Sequence, residues 1–207
     1  MNELNLSIFN GGRKHWWWQK VASGFQLDGD GQERIGADGC VVRNGGIKQI
    51  QEASLKVGRT YYRFLDAIKA RDKQRGEKHI WGWWWIDWES LDYFMRLAAQ
   101  SDQYLGDILK AKLAVPYEWG AGDQIVAARL VKPLRVMMGY GMPAAVSPVG
   151  SPRAHSADRG VGYTPGQDLM QIFIPGLTPD LAKQAFAVEY LGYVRRYTVI
   201  TSRCKVL

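Results

Sequence analysis

The residues best suited to bind an anion lie on an aromatic stretch that begins about a quarter of the way along the chain. Residues 58–66 read GRTYYRFLD, and this composition predicts a strand over 59–65. Side chains alternate along a strand, so Arg59 and Arg63 share one face with Tyr61. Burying a guanidinium is costly unless a carboxylate or phosphate accepts its charged hydrogen bonds. The stretch therefore predicts either a site for an anionic ligand or an edge strand with a solvated arginine face.

Tryptophan is unusually abundant and is concentrated in two runs. Of nine Trp, three are consecutive at 16–18 and five lie within 81–88. A Trp side chain buries a large apolar area, and its flat ring also stacks on other rings. A Trp-rich core is the favoured interpretation for most of them, with a ring-binding site as the alternative.

The second run reads IWGWWWI over residues 80–86 and is predicted to be a strand. Gly82 within it would allow another backbone or a ligand to approach closely. Alternation along the strand predicts that Trp84 faces opposite to Trp83 and Trp85, with at least one side in the core.

Several common catalytic and metal-binding motifs are absent from the sequence. It contains no G-x-x-x-x-G-K or G-x-G-x-x-G loop, no G-x-S-x-G elbow and no H-E-x-x-H helix. Cys40 and Cys204 cannot form a zinc site alone, and the three His show no ligand spacing with them. We therefore expect no resident metal and no cofactor. The two cysteines could pair with each other, and reduced thiols are the favoured interpretation.

A series of short motifs accompanies Arg63 in a defined order. They are Tyr62-Arg63-Phe64, Gly82-Trp83-Trp84-Trp85, LAVPYEW at 113–119, VKPLRV at 131–136 followed by Gly139, GYTPG at 162–166, and QIFI at 171–174. In this order they resemble the C-terminal toxin domains of the tuberculosis necrotizing toxin type and related bacterial polymorphic toxins. The resemblance covers roughly residues 58–176.

This resemblance implies an ADP-ribosyltransferase-like fold and hydrolysis of NAD, as substrate, to nicotinamide and ADP-ribose. It assigns the NAD pyrophosphate to Arg63 and the ribose or the attacking water to Gln171, which together form the predicted catalytic pair. Gln167 is the alternative glutamine, and Gln171 is preferred because it opens an apolar strand. A neutral glutamine at this position favours hydrolysis over transfer. The further substrate-binding residues are Arg59, Tyr62, Trp83, Trp84, Tyr163 and Gly166.

Composition and charge are those of a globular protein with an anionic partner. The chain is 46% apolar and 23% charged, and its formal net charge is +7. Residues 131–207 carry most of the excess, with nine Lys and Arg against four Asp and Glu. This distribution is too diffuse for a nucleic-acid arm and suits an anionic small substrate or an acidic protein. The resemblance implies that the acidic partner is an immunity protein.

Neither a membrane span nor a secretory signal is visible in the sequence. We therefore expect a protein made in the cytoplasm and delivered into a target cell by a specialised apparatus or a carrier.

The remaining patterns predict the elements that position these residues. Asn44-Gly45 indicates a hairpin, Asp87 caps a helix over 88–100, and Ser101 caps the next helix. Strands are predicted over 124–136, 171–174 and 197–200. Thr178-Pro179 opens a helix with Leu181, Ala185 and Val188 on its inner face, and 142–160 forms a long loop.

The order of these elements predicts an α+β domain, and the resemblance adds split, mostly antiparallel sheets with flanking helices. Residues 1–57 are predicted to be a turn-rich appendage of unknown role, and 58–207 the NAD-cleaving domain.

Two other function classes remain open. The same fold could transfer ADP-ribose to a macromolecule, with the loop at 142–160 contacting the acceptor. Alternatively, the chain is a non-enzymatic binding module for glycan or protein, supported by the Trp run at 16–18 beside Arg13, Lys14 and Lys20.

Overall fold

The computed structural model describes residues 2–71, 76–115, 121–145, 162–163 and 169–194. A short 3-10 helix at Leu6–Ile8 precedes six α-helices within these ranges. They are α1 (Gly12–Ala22), α2 (Ala67–Ala70), α3 (Gly76–Ile80), α4 (Trp88–Ser101), α5 (Leu105–Leu113) and α6 (Pro179–Ala185). The strands are β1 (Ile47–Ser54), β2 (Thr60–Leu65), β3 (Trp84–Trp85), β4 (Gln124–Leu130), β5 (Arg135–Gly141), β6 (Ala144–Ala145), β7 (Gly162–Tyr163), β8 (Met170–Phe173) and β9 (Phe186–Tyr193).

The strands form antiparallel sheets, which confirms the predicted α+β class. One sheet has four strands in the order β1-β5-β8-β3, a second has three in the order β2-β4-β9, and β6 pairs with β7. Each of these strand pairs is antiparallel.

A core layer lies between the two larger sheets. Alternation along the strands divides their side chains between this layer and two outer layers. On β2, Tyr61 and Leu65 enter the central layer, whereas Tyr62 faces α4 and α5. On β8, Ile172 enters the central layer and Phe173 packs against α1. The molecule therefore consists of four layers of secondary structure. In order they are α1, the four-stranded sheet, the three-stranded sheet, and α4 with α5.

A backbone bridge joins the two larger sheets, between β2 and the residue that follows β3. Tyr62 and Ile86 exchange both backbone hydrogen bonds, each with an N–O distance of 2.9 Å. Beyond this bridge the residues of β2 pair with β4 and those of β3 pair with β8. Arg63, the next residue after the bridge, therefore lies where the sheets begin to separate.

The predicted helix after Asp87 is confirmed, and the predicted start of the next helix is wrong. The Asp87 carboxylate accepts the Ser90 N–H at 2.9 Å and caps α4. Ser101 is the last residue of α4 instead of a cap, because its hydroxyl donates to the Leu97 carbonyl at 2.8 Å. Helix α5 begins after Tyr104.

The prediction for the second Trp run is half correct. The chain is helical up to Ile80, so the strand shortens to Trp84–Trp85. Trp85 enters the core between the sheets, and Trp84 lies on the opposite side with its ring 4.8 Å from that of Phe173. Trp83 precedes the strand, and its ring is 6.0 Å from Phe173. The expectation that Trp83 shares the face of Trp85 is therefore wrong.

Residues before position 57 fold differently from the expected hairpin. The Trp run at 16–18 lies on α1, which the sequence analysis missed, and β1 is an edge strand of the four-stranded sheet. Asn44-Gly45 does not join a hairpin, because the residues before it pair with earlier parts of the chain. Arg43 bridges to Phe25, and Val41 bridges to Ile35. These long-range pairings override the local turn signal.

At the other end of the chain, Thr178 caps α6 as predicted by accepting the Leu181 N–H at 3.2 Å. The inner face uses Ala182 and Ala185. Val188 is not part of it, because the helix ends at Ala185 and β9 begins at residue 186, and Val188 is exposed on that strand. Strand β9 was not predicted.

Several predicted features lie outside the described residues: Trp119, most of the loop at 142–160, the strand at 197–200, and Cys204. In the part of the chain that is described, no helix combines the length and apolar character needed to cross a membrane.

Two neighbouring aromatic residues on α4 test the helical outer layer. Phe94 is fully buried against α5 and the three-stranded sheet, whereas Tyr93 is 42% exposed. We expect Phe94→Ala to lower the free energy of unfolding by about 3–5 kcal/mol, because it leaves a cavity. The matched Tyr93→Ala should cost less than about 1 kcal/mol. Urea unfolding measures both, and equal losses would contradict this packing.

Candidate functional site

A cleft of about 450 Å³ opens beside the junction of the two sheets. One wall is formed by β2 and the start of α2, another by Trp84 and its neighbours, and a third by α5 and the residues after it. Gln171 of β8 and two stretches before β1 complete the lining. The cleft therefore collects residues from both large sheets.

Arg63 reaches this cleft from β2 and is held by the chain around β3. Its Nη1 donates to the Trp84 carbonyl oxygen at 2.9 Å. The guanidinium packs so closely over Gly82 that a Cβ at that position would collide with its Cζ and Nη2 atoms. The close approach predicted for Gly82 is thus made by the Arg63 side chain.

Burial changes the electrostatics of Arg63. Desolvation lowers the pKa of its guanidinium to about 10. The side chain still carries its charge at neutral pH, and loss of water around it strengthens its interaction with an incoming anion.

Gln171 lies on the opposite sheet, on β8, where it pairs with Gly139. Only 9% of its surface is exposed, and its Nε2 donates to the Leu113 carbonyl at 3.1 Å. Leu113 is the last residue of α5, and Ala114 follows it in the left-handed conformation with φ 53°. Carbonyls in the last turn of a helix lack a partner within the helix. The end of α5 therefore orients the Gln171 amide.

Two lysines and an aspartate form a charged group in the same cleft. Lys110 is only 4% exposed, and Lys69 and Asp66 also line the cavity. The Asp66 carboxylate caps α2, because its Oδ1 accepts the N–H groups of Ile68 at 2.9 Å and Lys69 at 3.1 Å. Burial lowers the pKa of Lys110, and the carboxylates of Asp107, Asp123 and Asp66 oppose this shift.

The structure gathers some of the predicted site residues and separates others. Tyr62, Arg63, Trp84 and Gln171 line the cleft. Arg59 lies outside this lining, in an exposed ion pair with Glu89 at 3.2 Å. Trp83 also lies outside it, with its ring edge-on to Trp18 at 5.0 Å.

The remaining predicted residues belong to the glycine-containing motif at 162–166. The backbone of Tyr163 pairs with Ala144 in the two-stranded sheet. The Tyr163 side chain, Gly166 and Gln167 lie outside the described residues.

Sequence reasoning missed the lysines and the N-terminal lining of the cleft. Lys110 has the spacing of an ordinary exposed helix residue, so only its neighbours in space reveal its burial. The N-terminal lining includes Phe25, Gln26 and Asn44. Its one local signal was the pair of flanking glycines, Gly24 and Gly46.

The chemistry available in this cleft is anion binding combined with contacts to flat rings. Three cationic side chains face one carboxylate, and Trp84 offers an aromatic surface. The described residues contain no group of three or more His, Cys, Asp or Glu that could hold a metal ion. Arg63 and Gln171 supply no general base at neutral pH, and the Asp66 carboxylate of this lining is engaged in capping α2. The site therefore suits a reaction that needs positioning more than proton transfer.

No protein-family model and no curated protein matches this chain. Among solved structures, a chain described as Rhs1-CT in complex with its cognate immunity protein RhsI1 is 16% identical. That match covers 71% of this chain and 83% of the other, with a TM-score of 0.42. A chain from a structure of Tne2 in complex with Tni2 is 11% identical over 70% of this chain and 92% of the other, with a TM-score of 0.38.

The buried lysine of the cleft makes a prediction about pH. Because burial lowers the pKa of Lys110 below 10.5, the unfolded chain holds this proton more tightly than the folded protein. Raising the pH towards 10.5 should then stabilise the wild type relative to Lys110→Met, which lacks the titrating group. Urea unfolding of both proteins from neutral pH upwards measures the difference. A difference that stays constant with pH would contradict the burial of this charge.

Proposed function

We propose that this protein hydrolyses NAD to nicotinamide and ADP-ribose. One observation supports this most directly: Arg63 of the three-stranded sheet and Gln171 of the four-stranded sheet line one cleft with Trp84. The order of motifs in the sequence predicts a common site for these three residues, although they come from distant segments of the chain. The arrangement fits a substrate that has both an anionic pyrophosphate and flat rings.

The chemistry of NAD cleavage matches the side chains available. The bond between the ribose anomeric carbon and the nicotinamide nitrogen breaks, and its electron pair leaves with nicotinamide, which becomes neutral. Water adds to the oxocarbenium-like ribose and gives up a proton to solvent. Such a reaction is accelerated mainly by holding the substrate and the water in position.

In this proposal Arg63 binds the pyrophosphate. Its guanidinium offers several N–H donors in a planar fork, which can make paired hydrogen bonds to phosphate oxygens. The bond from Nη1 to the Trp84 carbonyl fixes one side of that fork. Lys69 and Lys110 add positive charge to the same cleft.

Gln171 then positions the ribose or the attacking water. Its amide has a second N–H and an oxygen beyond the bond that it makes to Leu113. Tyr62 and Trp84 are the aromatic residues proposed to contact the rings of NAD. Since an amide cannot activate an acceptor as a base, this assignment favours water over a macromolecular acceptor.

The motif resemblance extends the proposal to the biological setting. We propose an ADP-ribosyltransferase-like domain of a bacterial toxin that acts in a target cell. The net charge of +7 suits an acidic immunity protein that would neutralise it in the producer.

The burial of the tryptophans does not favour the binding-module alternative. Trp18, Trp81 and Trp85 are buried, and among the described tryptophans only Trp16 and Trp83 are strongly exposed. A stacking surface for glycan needs exposed rings, and most of these rings are used for packing.

Incubating the purified protein with NAD tests the proposal and the role of Arg63. We expect nicotinamide and free ADP-ribose in equal amounts. Arg63→Ala should lower turnover about 10²-fold, because it removes charged hydrogen bonds. Arg63→Lys should restore little of the turnover lost in Arg63→Ala, because an ammonium group lacks the planar fork of N–H donors. Chromatography of the products and circular dichroism of each variant provide the measurements.

Three outcomes count against this proposal. Absence of nicotinamide release by the wild type would remove NAD hydrolysis. ADP-ribose found by mass spectrometry on protein or nucleic acid, in place of free ADP-ribose, would favour the transferase. Wild-type turnover by a folded Arg63→Ala would remove the assignment of the guanidinium.

Gln171 provides a separate test of hydrolysis against transfer. Gln171→Ala should reduce turnover by about 10²–10³-fold, the loss typical of one well-placed hydrogen-bonding group in a transition state. Gln171→Glu should raise the share of product transferred to an added nucleophile, because a carboxylate can accept its proton. The exposed amide Gln103 is a control, and Gln103→Ala should leave turnover unchanged. Full activity of Gln171→Ala would exclude this residue and direct attention to Gln167.

A further inference from the structure

Two stretches before β1 form one continuous wall of the cleft, which we call the N-terminal wall and define as residues 24–26 and 44–46. They are joined by the backbone: Asn44 donates its N–H to the Gly24 carbonyl at 2.9 Å. Phe25 and Arg43 also form an antiparallel bridge. The wall is therefore a paired structure and not two separate loops.

Glycines allow the two stretches of this wall to touch. Gly24 and Gly46 have φ values of 78° and 83°, a conformation that other residues rarely adopt. A Cβ on Gly24 would collide with the Gly45 carbonyl, and one on Gly46 with the Gly24 nitrogen. This close contact brings Gln26 and Asn44 together in the lining of the cleft.

The wall is also fixed to the sheet that carries Gln171. Gly45 donates to the Pro143 carbonyl at 3.1 Å, and Gly46 accepts the Met142 N–H at 2.8 Å. Residues 142–143 follow β5 directly, and β5 pairs with β8. The wall therefore keeps its position relative to Gln171.

Side chains on the wall are held in place as well. The Lys20 ammonium lies 4.1 Å from the centre of the Phe25 ring, and the Arg43 guanidinium carbon lies 4.2 Å from it. The Oε1 atom of Gln26 accepts a hydrogen bond from Arg34 at 3.3 Å. The Phe25 ring and the Gln26 amide are therefore held in place on this wall.

The wall differs in chemistry from the rest of the cleft. Arg63, Lys69 and Lys110 are cationic and suit phosphates, whereas the lining residues Gln26 and Asn44 carry neutral amides. An amide offers a donor and an acceptor side by side, and it pairs with a flat ring that carries the complementary pair. The carboxamide of nicotinamide and the amino-pyrimidine edge of adenine both have this chemistry.

We infer that the N-terminal wall is a binding subsite for a planar nitrogen heterocycle of the substrate, with Asn44 as its central recognition residue. This inference rests on the proposed function and extends it, because it makes residues before position 57 part of the substrate site. It adds specificity-determining contacts opposite the phosphate-binding cations.

Asn44→Ala tests the subsite, with Gln32→Ala as the matched control. Gln32 belongs to the same N-terminal region, but its exposed amide does not line this cleft. We expect Asn44→Ala to raise the KM for NAD roughly 2- to 10-fold, the range for one neutral hydrogen bond, with kcat within about twofold of the wild type. Gln32→Ala should leave both constants unchanged.

Inhibition by the two products identifies the ring. If Asn44→Ala weakens inhibition by nicotinamide but not by ADP-ribose, the leaving group lies against Asn44. If it weakens inhibition by ADP-ribose but not by nicotinamide, adenine lies there. Both results support the subsite. Unchanged KM and unchanged inhibition by both products, in an Asn44→Ala protein with the wild-type unfolding temperature, would overturn it.

The failure of this inference differs from the failure of the proposed function. A wild type that cleaves NAD, together with an unaffected Asn44→Ala, removes only the subsite. A wild type that neither releases nicotinamide nor binds ADP-ribose in calorimetry removes the proposed function and the subsite with it.

Discussion

The candidate site depends on the seating of one partly buried cation. The Arg63 guanidinium fits against Gly82, where no side chain intervenes, and its Nη1 is held by the Trp84 carbonyl. The bridge between Tyr62 and Ile86 fixes β2 against the segment that contains Gly82 and Trp84. Arg63 and Trp84 belong to different sheets, and this bridge joins the two sheets beside them. The contacts that Arg63 makes with Gly82 and Trp84 therefore place its positive charge in the cleft.

The layered core keeps this junction rigid. Side chains from both sheets fill the space between them, so that Tyr61 and Leu65 anchor β2 on either side of Arg63. On the outer faces, α1 covers the four-stranded sheet, and α4 and α5 cover the other. Helix α5 then contributes both its buried Lys110 and its last carbonyl, which holds Gln171. The contacts that pack α5 into the fold therefore also orient residues of the site.

Local patterns predicted those elements whose signals are short-range. Neighbouring residues were enough to predict the strand that carries Arg63, the Asp87 cap and the strand that contains Gln171. The Asn44-Gly45 turn could not, because residues 41–43 pair with the chain before them. The predicted face of Trp83 is wrong because the strand begins at Trp84, so that Trp83 precedes it. Lys69, Lys110 and the N-terminal wall enter the site through contacts between distant segments, which no local pattern contains.

The most direct measurement of the central claim is NAD turnover by Gly82→Ala compared with Gly29→Ala. A methyl group at position 82 must displace the Arg63 guanidinium, whereas nothing lies within 4 Å of the corresponding Cβ at Gly29. Both glycines have backbone conformations open to alanine, since neither has a positive φ. The account predicts a loss of about 10-fold or more in kcat/KM for Gly82→Ala and none for Gly29→Ala. Wild-type turnover by a folded Gly82→Ala would contradict it.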